Sequence, residues 1–138
     1  MTWSNRFVGI SYDEFGRCRS GCDCWGLVVL IYREELGITL PDYLGYGSAE
    51  EHHEIAALIG SAEATPTWVK ADAARPFDVA VFRRGKLASH LGVVVRPGLM
   101  IHMVGEDCAK LERYDTGRWG NRLKGVFRHV QHPVHHEG

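Results

Sequence analysis

Two cysteines separated by one residue, Cys22 and Cys24, stand in the stretch GCDCWGLVVLIYREELGITLP (21–41), directly ahead of an apolar run of helical character. Three chemistries suit a thiol there: half of a disulfide, a soft metal ligand, or a nucleophile set at a helix start. A nucleophilic thiol needs a base within hydrogen-bond reach, and a further group that orients the base completes the arrangement. Two histidines in adjoining β-type runs, His90 in SHLGVVV and His102 in LMIHMV, are candidates for those two roles.

The elements that must position these groups are legible. Asp23 can cap a helix whose apolar side chains run from Trp25 to Ile31, with Gly37 and Pro41 stopping it and Glu34 and Glu35 marking where its end meets water. A helix apolar nearly all round is buried. Cys24 then occupies about the first helical position, in the positive end of the helix dipole, which favours the thiolate, while Cys22 lies just outside. For the histidines the register of one hairpin decides. A three-residue loop, Arg96-Pro97-Gly98, sets Val95 against Leu99 and Gly92 against His102, so that both imidazoles share a face at a diagonal spacing of about 7 Å. A two-residue loop would send them to opposite faces.

Around this pair the chain reads as helices first and strands afterwards. SAEE from Ser48 forms a capping box, with Ile55, Leu58, Ile59 and Ala62 following at helical spacing. FDVAVF, HLGVVV and LMIHMV, separated by RRGK and RPG, predict an antiparallel meander, and KGVFRHV adds a last strand. That order predicts an α+β domain, helices packed on one face of a C-terminal antiparallel sheet. The 138 residues suit one domain, expected over 1–130, with 131–138 as a flexible tail.

Composition excludes several classes. Apolar residues make up 45% and charged residues 24% of the chain, which are globular values, and no run of about 18 uncharged apolar residues exists to insert in a membrane. The first twenty residues mix charge with aromatics and lack the apolar core of a secretion signal, so synthesis in a reducing cytoplasm is expected, with cysteines free, catalytic or metal-bound rather than paired. Basic and acidic residues balance at 16 and 17, which argues against nucleic acid as a partner. Zinc is the rival chemistry, with Cys18, Cys22, Cys24 and Cys108 as soft ligands. The Cys-x3-Cys-x-Cys spacing is unlike the two-residue-gapped knuckle of structural sites, so no metal is assigned. His129, His132, His135 and His136 are read as part of a solvated tail.

Taken together, these motifs resemble the NlpC family of bacterial cell-wall cysteine peptidases, papain-like hydrolases, over about Phe7 to His129. DCWGLV is similar to the family's nucleophile string, SHLGVVV to its general-base strand, IHMV to the strand bearing the orienting residue, and FVGISY to a segment whose tyrosine lies near the thiol. The resemblance implies Cys24 as nucleophile, His90 as base, His102 as orienting residue, Tyr12 as active-site support, and Trp25 and Ser89 as substrate contacts, with no cofactor. It also implies cleavage of peptidoglycan stem peptides between D-glutamate and the adjacent diamino acid. YREELGITLP and the late MIHMV, RW and VFRHV look most like the tail-associated peptidases of phages and gene transfer particles. They imply other tail proteins as partners and a place in a particle tail acting at the cell wall. An idle structural or wall-binding tail subunit of the same fold is the alternative. Two departures stand out: Trp25 replaces a small serine, and PFDVAVF lacks the glycine of PGDxxxF.

Overall fold

The computed structural model describes residues 3–14, 16–40, 68–84, 87–103 and 107–131. The helix expected from Ser48 lies outside the described residues. A short hairpin, β1 (Arg17–Cys18) and β2 (Gly21–Cys22), leads into α1 (Cys24–Ile31), which runs on through one wider turn over Tyr32–Leu36. Gly37 ends the helical segment in the left-handed region, φ 68°. The strands β3 (Trp68–Lys70), β4 (Val79–Arg84), β5 (Leu87–Arg96), β6 (Leu99–Met103), β7 (Ala109–Arg113) and β8 (Leu123–His129) form one sheet. A second short helix, α2 (Gly117–Arg122), precedes β8.

Strand order is β3-β8-β4-β5-β6-β7, antiparallel at every junction. The expected meander is β4-β5-β6. The chain extends it with β7, and β8 returns across the sheet to pair with β4 and β3. This is the α+β, papain-like arrangement. Alternation along the strands gives the sheet two packed faces. α1 lies on the face carrying Val79, Val81, Leu91, Val93, Ile101 and Met103. The other face buries Ala80, Phe82, Val94 and Met100 beneath Tyr114 and the Trp119 of α2.

The β5–β6 connection differs from expectation in its device. Arg96 pairs with Leu99, leaving a two-residue turn, Pro97-Gly98, and the register shifts between Val94 and Arg96. Pro97 holds φ near its ring-fixed value and Gly98 takes φ 90°, the combination a type II turn requires. The bulge at Val95 absorbs one residue, so Val94 still meets Met100 and Val93 still meets Ile101. This is the register the longer loop would have set, and the two histidines fall on one face.

His129, expected in the solvated tail, is instead buried at the end of β8. Its Nδ1 accepts from the Gln131 amide at 3.0 Å, and its ring meets the Trp68 ring edge-on at 5.0 Å.

Candidate active site

The thiol's position follows from local capping. Asp23 is fully buried, and its Oδ1 accepts from the Gly26 amide at 2.7 Å and from Arg17 Nη1 at 2.8 Å. One carboxylate therefore caps α1 and ties it to β1. Backbone packing tightens the same joint: a Cβ at Gly26 would stand 1.9 Å from the Gly16 carbonyl oxygen, so no larger residue fits there. Cys24 begins the helix and is 5% exposed. Cys22 is fully buried, and loss of hydration, aided by the adjacent Asp23 charge, pushes its thiol up to about 12. Tyr12 forms a backbone bridge with Cys22, and Cys108 another with Ser11, so the segment bearing Tyr12 lies beside the approach to α1.

Two adjacent strands bring the histidines together. His90 Nε2 lies 2.8 Å from His102 Nδ1. His102 Nε2 lies 2.9 Å from Glu112 Oε1, which gives a relay of three side chains on β5, β6 and β7. Gly92 makes room for it: a Cβ there would lie 3.3 Å from His102 Cβ and 2.5 Å from Met100 Sδ. Trp119 covers the pair, stacked on His90 at 4.9 Å and edge-on to His102 at 5.1 Å. His102 is fully buried, and loss of hydration lowers its pKa despite the opposing pull of Glu112. A neutral imidazole at that position suits a group that orients rather than titrates.

Cys24, at the first position of α1, packs in the cluster that this helix buries, and His90 and His102 lie against Trp119. Among the described residues no hydrogen bond joins Cys24 to either imidazole. Trp25, expected at the substrate cleft, is 1% exposed within the core, which leaves its side chain almost no surface to offer a ligand. Ser89 lies on β5, with its side chain outside the described set. Glu112 was not singled out in the sequence, and Trp119 entered only within the RW motif, with no place at the site. Carrying the β5–β6 register one strand further would have found Glu112, since Met100 pairs with Glu112 and His102 with Lys110 on β7. No group of three or more His, Cys, Asp or Glu side chains fit to hold a metal occurs among the described residues.

The NlpC/P60 family model matches residues 9–128 of the chain. The protein belongs to the NlpC/P60 family. The NlpC/p60 domain of the peptidoglycan hydrolase SagA is similar in fold, at 17% identity and TM-score 0.55 over 80% of this chain and 82% of that one. An NlpC/P60 family protein from Bacillus cereus is similar at 22% identity and TM-score 0.66, over 92% of this chain and 38% of that one. NlpC1 from Trichomonas vaginalis is similar at 17% identity and TM-score 0.63, over 88% and 40%. The chain thus spans about two fifths of the length of the last two. No curated protein matches the chain in sequence. Members of the NlpC/P60 family are in general cell-wall peptidases, and PFDVAVF departs from the family's glycine at a telling place. Phe77 takes φ 76°, the left-handed region that glycine enters without strain.

Proposed function

We propose that the protein is a cysteine-type hydrolase that cuts amide bonds in peptidoglycan stem peptides. The observation that carries this reading is the hydrogen-bonded His90–His102 pair, which offers an oriented imidazole in an NlpC/P60 domain whose first buried helix begins with a thiol. In the proposed reaction the Cys24 thiolate attacks the scissile carbonyl carbon while backbone N–H groups at the start of α1 stabilise the oxyanion. His90 takes the thiol proton and returns it to the leaving amine, and water then hydrolyses the thioester. His90 Nε2 is engaged with His102, so Nδ1 is the nitrogen that exchanges the proton. The step needs the thiol within hydrogen-bond reach of Nδ1, and such contacts tighten when substrate binds. No metal or cofactor takes part.

Within that reading, the bond between D-glutamate and the diamino acid is the proposed target, and local wall opening by a phage-type tail, with other tail proteins as partners, is the proposed setting. The motifs YREELGITLP, MIHMV and VFRHV support the setting, and the SagA domain, which bears the name of a peptidoglycan hydrolase, supports the substrate class. Digestion of purified sacculi followed by mass spectrometry of the released peptides tests both. New amino termini at the diamino acid, lost in Cys24→Ala, are expected. Intact sacculi with folded wild-type protein would favour the idle structural subunit.

A further inference from the structure

We propose that Glu112 is a positioning residue that sets the tautomers of both imidazoles through the hydrogen bonds joining His102 to Glu112 and His90 to His102. The inference rests on the reading of His90 as the base and deepens it. Glu112 reaches His102 diagonally across the β6–β7 ladder, on the face it shares with Lys110. The groups turned toward His102 are His90 from β5, Lys110 and Glu112 from β7, and Arg118 and Trp119 from α2. Lys110 pairs with Asp107 at 2.6 Å, which leaves the Glu112 carboxylate as the hydrogen-bond partner of His102 Nε2.

A carboxylate can only accept, so the hydrogen between these atoms belongs to His102 Nε2. Burial keeps His102 neutral, and a neutral ring with hydrogen on Nε2 has a lone pair on Nδ1. The 2.8 Å bond to His90 then requires the hydrogen to sit on His90 Nε2. That assignment leaves the lone pair on His90 Nδ1, the nitrogen that must take the thiol proton. A donor at position 112 would reverse each step in turn and put a hydrogen on His90 Nδ1, where it blocks the base. Because His102 is fully buried, its partners rather than water decide the outcome. The identity of one edge-strand carboxylate thereby controls a nitrogen two hydrogen bonds away.

Long-range 15N–1H correlation spectra of the full chain at pH 7.5 read the tautomers directly, and sacculus digestion reads kcat and KM. Wild type should show both rings protonated at Nε2. Glu112→Gln, whose carbonyl still accepts, should keep that pattern. Glu112→Leu should mix the His102 tautomers and lower kcat by on the order of tenfold with KM unchanged, a fraction of what general-base catalysis contributes. Glu112→Lys should shift the His90 hydrogen to Nδ1. The Glu112 side chain is 38% exposed, so these variants should fold. Unchanged tautomers in both Glu112→Leu and Glu112→Lys would overturn the proposal. Should wild type cut no wall peptide, the proposed activity fails while the spectra still decide the role of Glu112.

Discussion

Trp119 lies stacked on His90, with ring centroids 4.9 Å apart and planes 27° apart. The indole covers the His90–His102 hydrogen bond, and a bond in a low-dielectric setting is electrostatically stronger than one in water. Replacing Trp119 with Phe should keep most of this cover and most of the wall-cutting activity. Trp119→Ala should cost about 3 kcal/mol of stability by removing a buried aromatic ring and should also lower kcat. An Ala variant that folds and turns over like wild type, measured on sacculi, would reduce the indole to packing alone.

His102 separates orientation from packing. A polar atom at the right height can hold His90, which Gln meets in part and Leu cannot. His102→Gln should retain measurable hydrolysis, whereas His102→Leu should fall about a hundredfold, roughly 2.7 kcal/mol in the barrier. His90→Gln should be nearly inactive, since glutamine cannot carry a proton between thiol and amine. Equal rates for folded His102→Leu and wild type would remove His102 from the relay's function.

Much of the site could be read from residue spacing, and the misses have physical causes. The Asp23 cap rests on a local contact between Asp23 and the Gly26 amide, which sequence signals well. The shared face of His90 and His102 was inferred from a three-residue loop and is realised by a two-residue turn with a bulge at Val95, because one inserted residue preserves register whether it sits in the loop or in the strand. Glu112 escaped notice because the edge strand AKLER buries only Ala109 and shows no apolar alternation to reveal its register. Trp119 lies on a helix of six residues, too short for a period to show. The return of β8 to pair with β4 depends on non-local contacts such as the Arg128 guanidinium gripping Asp78, fifty residues away, at 2.9 and 2.8 Å.

Thiol reactivity gives an independent test of the nucleophile. Cys22, buried and pushed up to about 12, should resist alkylation. Cys18 is exposed, and the Ser20 hydroxyl bonded to it lowers its pKa, so it supplies an internal reference. Limiting iodoacetamide at pH 6 followed by peptide mapping should label Cys24 ahead of Cys18, with Cys22 last. In His90→Gln the Cys24 rate should drop while the Cys18 rate holds. Labelling of Cys22 first would move the nucleophile.

Phe77 tests the one left-handed residue among the described residues that is not glycine. Its amide donates to the Val94 carbonyl at 2.8 Å, its carbonyl accepts from the Tyr32 hydroxyl, and its ring stacks on Trp3 at 4.4 Å. These contacts hold a backbone conformation that costs an L-residue roughly 1–2 kcal/mol. Phe77→Ala and Phe77→Gly both lose the ring, so they differ only in the Cβ. In an ordinary extended position Gly would be the less stable by about 0.4–1 kcal/mol, through the greater freedom of its unfolded chain. At φ 76° the order should invert, with Phe77→Gly unfolding at a higher urea concentration than Phe77→Ala. Both variants should cut sacculi at the wild-type rate, because Phe77 lies at the entry to β4 on the α1 side, away from the face that carries the His90–His102 relay. An Ala variant more stable than the Gly variant would show that the contacts around Phe77 do not hold its backbone in the left-handed region in solution.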